Sequence, residues 1–258
     1  MSKMPAIFIS HGAPVSALDP VKRQQFKHWA EAMPGPSAIL VISAHWQTSS
    51  LVLGTTVSKK LIYDFGGFPA ELYQLQYAAP GAPQLAQRVT ELLQSNLEED
   101  TQPSERGWDH GVWVPLVLMY PGADIPVLQL GLPQQATPEQ LFNLGIALAP
   151  LREEGILIIG SGQMTHNLAA LSVQDAPIVE WAHAFDQWCR QTLDSRDWER
   201  LIDYRNRAPD LQMNHPTDEH FKPLLIVAGA ASGDLDPVQY PIQGFEYASL
   251  SRRSIQFS

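Results

Sequence analysis

A chain of 258 residues that is 45% hydrophobic and 17% charged carries enough apolar surface for one large globular domain. Its formal net charge of −10 repels phosphate backbones and argues against nucleic acid as a partner. The only cysteine, Cys189, leaves no internal disulfide and no thiolate zinc site, and no stretch approaches the ~18 apolar residues of a membrane span, so a cytoplasmic protein with no membrane partner is expected.

The first apolar run, Ala6–Ser10, reads as a buried strand, and His11-Gly12-Ala13-Pro14 turns the chain sharply after it. Phe26, Trp29, Ala30 and Met33 form a helical stripe; His28 lies roughly 200° round that helix from Phe26 and belongs to its solvated side. A second strand, Ala38–Ser43, ends just before His45 and Trp46. Leu85, Val89, Leu92 and Leu93 make another stripe, and Pro126–Leu130 another strand. Thr137-Pro138-Glu139-Gln140 combines an N-cap, a first-turn proline and a capping-box glutamine, so a helix starts there and runs through Leu148. Gly155–Gly160 is a fourth strand. Ile178, Trp181, Phe185, Trp188 and Cys189 mark an amphipathic helix with His183 on its wet side. Residues Ser195 to Asn214 are polar and read as an irregular surface excursion, and Ser254–Phe257 closes the chain as a strand. Strands alternating with helices imply helices on both faces of one sheet, with function at the strand ends. No repeat or linker divides the chain.

Six further histidines remain. His11 and His45 each follow a strand, so neighbouring strands would bring the two rings to one point. His166 lies in a third strand-end loop, after Ser161-Gly162-Gln163. His220 falls in Thr217-Asp218-Glu219-His220-Phe221-Lys222-Pro223, where Thr217 can cap a helix carrying Leu224–Ala230. His110 is a loop residue between Trp108 and Trp113, open to a packing role or a polar one, and His215 at most lines a pocket. Other chemistries lack their motifs. Thr165 stands where a dinucleotide loop needs its last glycine, no Gly-x-Ser-x-Gly occurs, and there is no His-Glu-x-x-His helix or EF-hand loop. A metal site here must be assembled from distant loops.

Ser10-His11-Gly12-Ala13-Pro14, Ser43-Ala44-His45-Trp46, Asp64-Phe65-Gly66-Gly67-Phe68-Pro69, Asp109-His110-Gly111-Val112-Trp113, Ser161-Gly162 through His166-Asn167-Leu168, and Glu219-His220-Phe221-Lys222-Pro223-Leu224 occur in this order. The set resembles the class III extradiol ring-cleavage dioxygenases, in their 4,5-DOPA dioxygenase-like branch, over nearly the whole chain. The resemblance implies a single α/β domain, a three-layer α/β/α fold with a central mixed sheet. It places the metal on His11, His45 and His220, with His166 as acid/base or fourth ligand and His110 as a second catalytic residue. In the wider class the third ligand is a carboxylate; His220 at that position gives an all-neutral set, which raises the site's net charge and suits a dianionic substrate.

The implied reaction takes a small aromatic diol such as DOPA and dioxygen, with Fe(II) as the working metal and Zn(II) as the ion to expect after purification. A phenol-like pKa of about 10 must be overcome at neutral pH, and a histidine with a reference pKa of ~6.5 can take the proton. Trp46, Phe65, Phe68 and Trp113 are the expected apolar walls, or a turn sealed by core aromatics. Assembly as a monomer or small homo-oligomer is expected. Two other functions fit the same residues: a zinc hydrolase, and a non-enzymatic metal-binding or signalling relative of the fold.

Overall fold

The computed structural model describes residues 3–57 and 60–258. Its strands are β1 (Ala6–Ser10), β2 (Ala38–Thr48), β3 (Val52–Leu53), β4 (Gln102–Pro103), β5 (Val127–Pro133), β6 (Ile156–Gly162), β7 (Gln239–Ile242), β8 (Phe245–Glu246), β9 (Leu250–Ser251) and β10 (Ser254–Phe257). Its helices are α1 (Pro20–Glu31), α2 (Pro83–Leu97), α3 (His110–Met119), α4 (Pro138–Leu148), α5 (Pro150–Glu153), α6 (Glu180–Asp194), α7 (Trp198–Ile202), α8 (Tyr204–Arg207), α9 (Leu211–Asn214) and α10 (Lys222–Ala230). One eight-stranded sheet runs β4-β3-β5-β2-β6-β1-β10-β7, and β8 pairs with β9 apart from it. The central strands β5, β2, β6 and β1 are parallel. On one side β10 pairs antiparallel with β1 and β7 antiparallel with β10, and on the other β3 pairs antiparallel with β5, which makes the sheet mixed.

Side chains alternate across a strand, so strands apolar at every position must be covered on both faces. Ala6, Phe8, Leu40, Ile42 and Ile158 pack into one core with α2, α4 and α10; Ile7, Ile9, Ile39, Val41 and Ile159 pack into another with α1 and α3. That is the three-layer α/β/α arrangement. The expected capping box is present at α4: the Thr137 hydroxyl accepts from Gln140 N at 3.2 Å and Thr137 N donates to Gln140 Oε1 at 2.8 Å, a motif worth about 1 kcal/mol.

Several local expectations are corrected. β2 continues past Ser43 to Thr48, through an irregular register against β5 between Ile42 and Gln47, so His45 sits inside the strand's distorted end. Ile178 precedes α6 and is exposed; the buried stripe of that helix is Ala182, Phe185, Trp188 and Cys189. The Ser195–Asn214 stretch is not irregular but folds into α7, α8 and α9, anchored by buried Leu201 and Tyr204. His110 is no loop residue: it opens α3, whose residues are all buried. Thr217 caps nothing; the Asp218 carbonyl instead accepts from Phe221 N and Lys222 N at 3.0 and 3.1 Å, and α10 starts at Lys222 with His220 in the turn before it. His28 and His183 are exposed, as their helical positions require.

The carboxyl ends of β1, β2 and β6 therefore lie side by side, the usual place for a site in a parallel sheet. Two short backbone bonds hold their loops together: His11 N donates to Gly162 O and Gln163 N to His220 O, both at 3.0 Å. A Cβ on Gly162 would stand 2.0 Å from the His220 carbonyl oxygen, so only glycine permits this approach. Gly162→Ala should displace His220 and weaken metal binding about 10- to 100-fold, read by competition with a chelator. Wild-type affinity in a folded variant would refute this link.

Candidate metal centre

His11 comes from the end of β1, His45 from the bulged end of β2 and His220 from the turn before α10, and all three offer Nε2 to one point. The Nε2 atoms of His11 and His45 are 3.2 Å apart, and those of His45 and His220 3.3 Å apart. Outer partners fix two of the tautomers. The Ser161 hydroxyl donates to Gly111 O at 2.5 Å, so its oxygen is left to accept from His11 Nδ1–H at 2.9 Å. The Glu219 carboxylate accepts from His220 Nδ1–H at 2.8 Å. Both Nε2 atoms then carry lone pairs directed at the shared point, an arrangement that is repulsive until a cation lies within it. Three nitrogens about 2.1 Å from one metal would be separated by about 3.0 Å at right angles or about 3.4 Å in a tetrahedron. The observed spacings fit a metal ion.

Burial pushes the His11 and His220 imidazoles well below the ordinary histidine range, reinforced by the surrounding histidines. Burial, then His110, brings His45 down to about 3. All three are neutral ligands at neutral pH.

Two more histidines border this point. The His166 ring stacks on His220 with centroids 3.5 Å apart and 12° between planes. Burial lowers its pKa, partly offset by Glu219. The His110 ring lies 3.9 Å from that of His45, and its Nδ1 donates to Asp64 Oδ1 at 2.8 Å. Burial alone would raise the Asp64 pKa, but the hydrogen bonds from His110 prevail and hold it at about 2. Ligand atoms of His11, His45 and His110 fall within 4.8 Å of one another, as do those of His166, Glu219 and His220. Under His110, Asp109 is buried between the Ser43 hydroxyl and the Gln129 amide, each donating to it at 2.7 Å, and burial raises its pKa.

An aromatic group abuts the centre. Phe65 meets His110 edge-on at 5.6 Å and Phe68 at 5.5 Å, while fully buried Trp113 lies behind Phe65 at 6.1 Å. Trp46 does not join them; it is buried beneath the Arg106 guanidinium, 5.7 Å from its ring centroid. Beside His45 and His220 opens a cleft of about 850 Å³, lined also by His215, Gln134, Gln212, Arg205 and Lys222. His215 is buried and hydrogen-bonded through Nε2 to Met164 O at 3.0 Å.

The roles of Ser161 and Asp64 escaped sequence reasoning. Ser161 reaches His11 only because Ile9 pairs with Ser161 across β1 and β6, a register no local pattern encodes. For Asp64 a signal existed, an acid heading an aromatic, glycine-rich turn, but its partner His110 is 46 residues away.

A three-layer α/β/α fold that gathers imidazole nitrogens from two strand ends and a turn at one point defines a protein with a site that could hold a metal ion. The chain belongs to the family described as the catalytic LigB subunit of aromatic ring-opening dioxygenase, whose model matches residues 5–258. It is thus an aromatic ring-opening dioxygenase, an oxidoreductase. It is 44% identical over 229 residues to the 4,5-DOPA dioxygenase extradiol of Beta vulgaris, covering 87% of this chain and 85% of that protein. It is 37% identical to a protein of the same name from Escherichia coli K12, covering 99% and 95%. A crystal structure of an uncharacterized protein from Escherichia coli K12 superposes with a TM-score of 0.82 at 32% identity, covering 99% of this chain and 100% of the other. Among the described residues no helix is long and apolar enough to cross a membrane.

Proposed function

We propose that this protein cleaves a catechol such as DOPA beside one hydroxyl, consuming dioxygen and inserting both oxygen atoms to give a muconate-type semialdehyde. The observation that carries this reading is the convergence of the His11, His45 and His220 Nε2 atoms, with the outer nitrogens of His11 and His220 already committed. Bound there, Fe(II) would supply Lewis acidity to ionise the catechol and a path for electrons from ring to dioxygen. Zn(II) suits the same three nitrogens and is the ion to expect after purification.

The protein's own groups handle the protons. His166, with its pKa held below the ordinary value, is neutral at pH 7 and serves as base for a catechol hydroxyl, later returning the proton. Its stacking on His220 keeps it at the centre's edge, and a role as fourth ligand is the alternative to acid/base work. Asp64 occupies Nδ1 of His110, leaving Nε2 to accept from a substrate hydroxyl. Phe65 and Phe68, backed by Trp113, supply an apolar face for the ring, and Trp46 supports the strand end that carries His45. The buried, unpaired Cys189 suits a reducing cytoplasmic setting.

Anaerobic loading with Fe(II), followed by a catechol in air, should give a yellow product with matching oxygen uptake. Hydrolysis of esters or amides by the zinc form without oxygen uptake would replace this reading with a hydrolase. His166→Ala should retain iron while turnover falls on the order of 100-fold or more; unchanged turnover removes the acid/base assignment.

A further inference from the structure

The cleft beside His45 and His220 places two cations, Arg205 and Lys222, in a chain whose net charge is −10. Two cations there share one carboxylate. Asp218 Oδ2 accepts from Arg205 Nε and Nη2 at 3.1 and 2.7 Å and from the Tyr204 hydroxyl at 2.5 Å, while Asp218 Oδ1 lies 3.1 Å from Lys222 Nζ. Glu219, the other acid lining this cleft, is turned to His220 Nδ1. Lys222 is only 6% exposed and makes one further bond, to Gln134 O at 3.2 Å. An ammonium has three protons to donate, and among the described residues the third finds no acceptor. A buried cation that is incompletely paired is costly to keep in place. A ligand oxygen arriving through the cleft would complete it.

We infer that Lys222, supported by Arg205, binds a carboxylate on the side chain of the aromatic substrate, so that the enzyme selects catechols bearing an anionic substituent. The undonated Lys222 proton calls for one acceptor oxygen beside the Arg205 guanidinium, and a carboxylate supplies it. The inference rests on the ring-cleavage reading for the identity of the ligand, but its test does not depend on turnover.

The experiment titrates zinc-loaded protein, which binds without oxidising, with 3-(3,4-dihydroxyphenyl)propionate and with 4-ethylcatechol, which lacks the carboxylate. Wild-type protein should bind the acid about thirtyfold more tightly, the range of a charge-assisted hydrogen bond. Lys222→Met should collapse that ratio to about threefold or less, and Lys222→Arg should preserve most of it. Arg205, whose side chain is 47% exposed, can be changed without opening the core, so Arg205→Gln provides the same comparison should Lys222→Met fold poorly; it should reduce the ratio at least about threefold. A wild-type ratio near one, or an unchanged ratio in folded Lys222→Met, overturns the inference. If the iron-loaded enzyme cleaves neither catechol, the ring-cleavage reading fails, while the affinity ratio still decides the role of Lys222.

Discussion

Alanine at position 45 should abolish stoichiometric metal binding and reduce ring cleavage on the order of a thousandfold or more. His45 is the middle donor: its Nε2 lies 3.2 Å from that of His11 and 3.3 Å from that of His220. Without it the remaining nitrogens form an open pair that cannot retain the ion against buffer and water. A metal that contributes several kcal/mol of charge stabilisation to a transition state is worth roughly that factor in rate. The loss should far exceed that from Gly162→Ala, where all three donors remain and only their placement suffers. The check is metal content by elemental analysis, together with oxygen uptake in iron-supplemented assays. A variant that keeps a full equivalent of iron and more than a tenth of its activity would remove His45 from the centre and move attention to His110, His166 and Glu219.

The second large effect concerns acid. A metal-free protein should lose melting temperature steadily as pH falls from about 7 to 4.5, by on the order of 10 °C. An unfolded chain protonates its histidines near pH 6.5, whereas burial holds His45 at about 3 and His215 at about 4. Below pH 6.5 the unfolded state therefore binds more protons. The stability these two groups contribute is complete above that pH and is lost as pH drops toward their folded values. By pH 4.5 each removes on the order of 2 to 3 kcal/mol. His11 and His220, displaced in the same direction, add to the loss. Zinc-loaded protein should keep its melting temperature to lower pH, because ligation binds the neutral imidazoles. Scanning calorimetry of both forms tests this, and a flat profile for the metal-free form would contradict the account.

The parts of the fold legible in the sequence are those where one rule governed. β1 is a short apolar run before a turn, β10 alternates polar and apolar residues, and α4 announces itself by its capping box. α3 gave no helical signal because it is buried on every side and carries Pro115, so neither an amphipathic period nor a propensity marked it. The helices from Trp198 to Asn214 were hidden by polar residues that face solvent, while scattered apolar residues, with Leu201 and Tyr204 fully buried among them, anchor the segment to the core. In the site, His11 and His45 could be read from strand ends. His220 came only through the family resemblance, since its turn is set by the Asp218 carbonyl and not by the side chain of Thr217. Ser161 and Lys222 depend on register and on the packing of α8 against the turn before α10, which are properties of the assembled chain.

The neighbour of β1 on its free side is β10, and the attachment reaches the metal-bearing loop itself: the Ser10 hydroxyl donates to Arg253 O at 2.8 Å and Ser10 N to the Ser254 hydroxyl at 3.2 Å. During synthesis His11 and His45 thus emerge long before the segment that steadies them, and before the third imidazole at 220. Nascent polypeptide would offer two loosely held rings, too few to hold a metal ion against cellular chelators. Loading of the proposed centre would then follow docking of the last strand, which ties it to completion of a topology rich in distant contacts, itself a slow event.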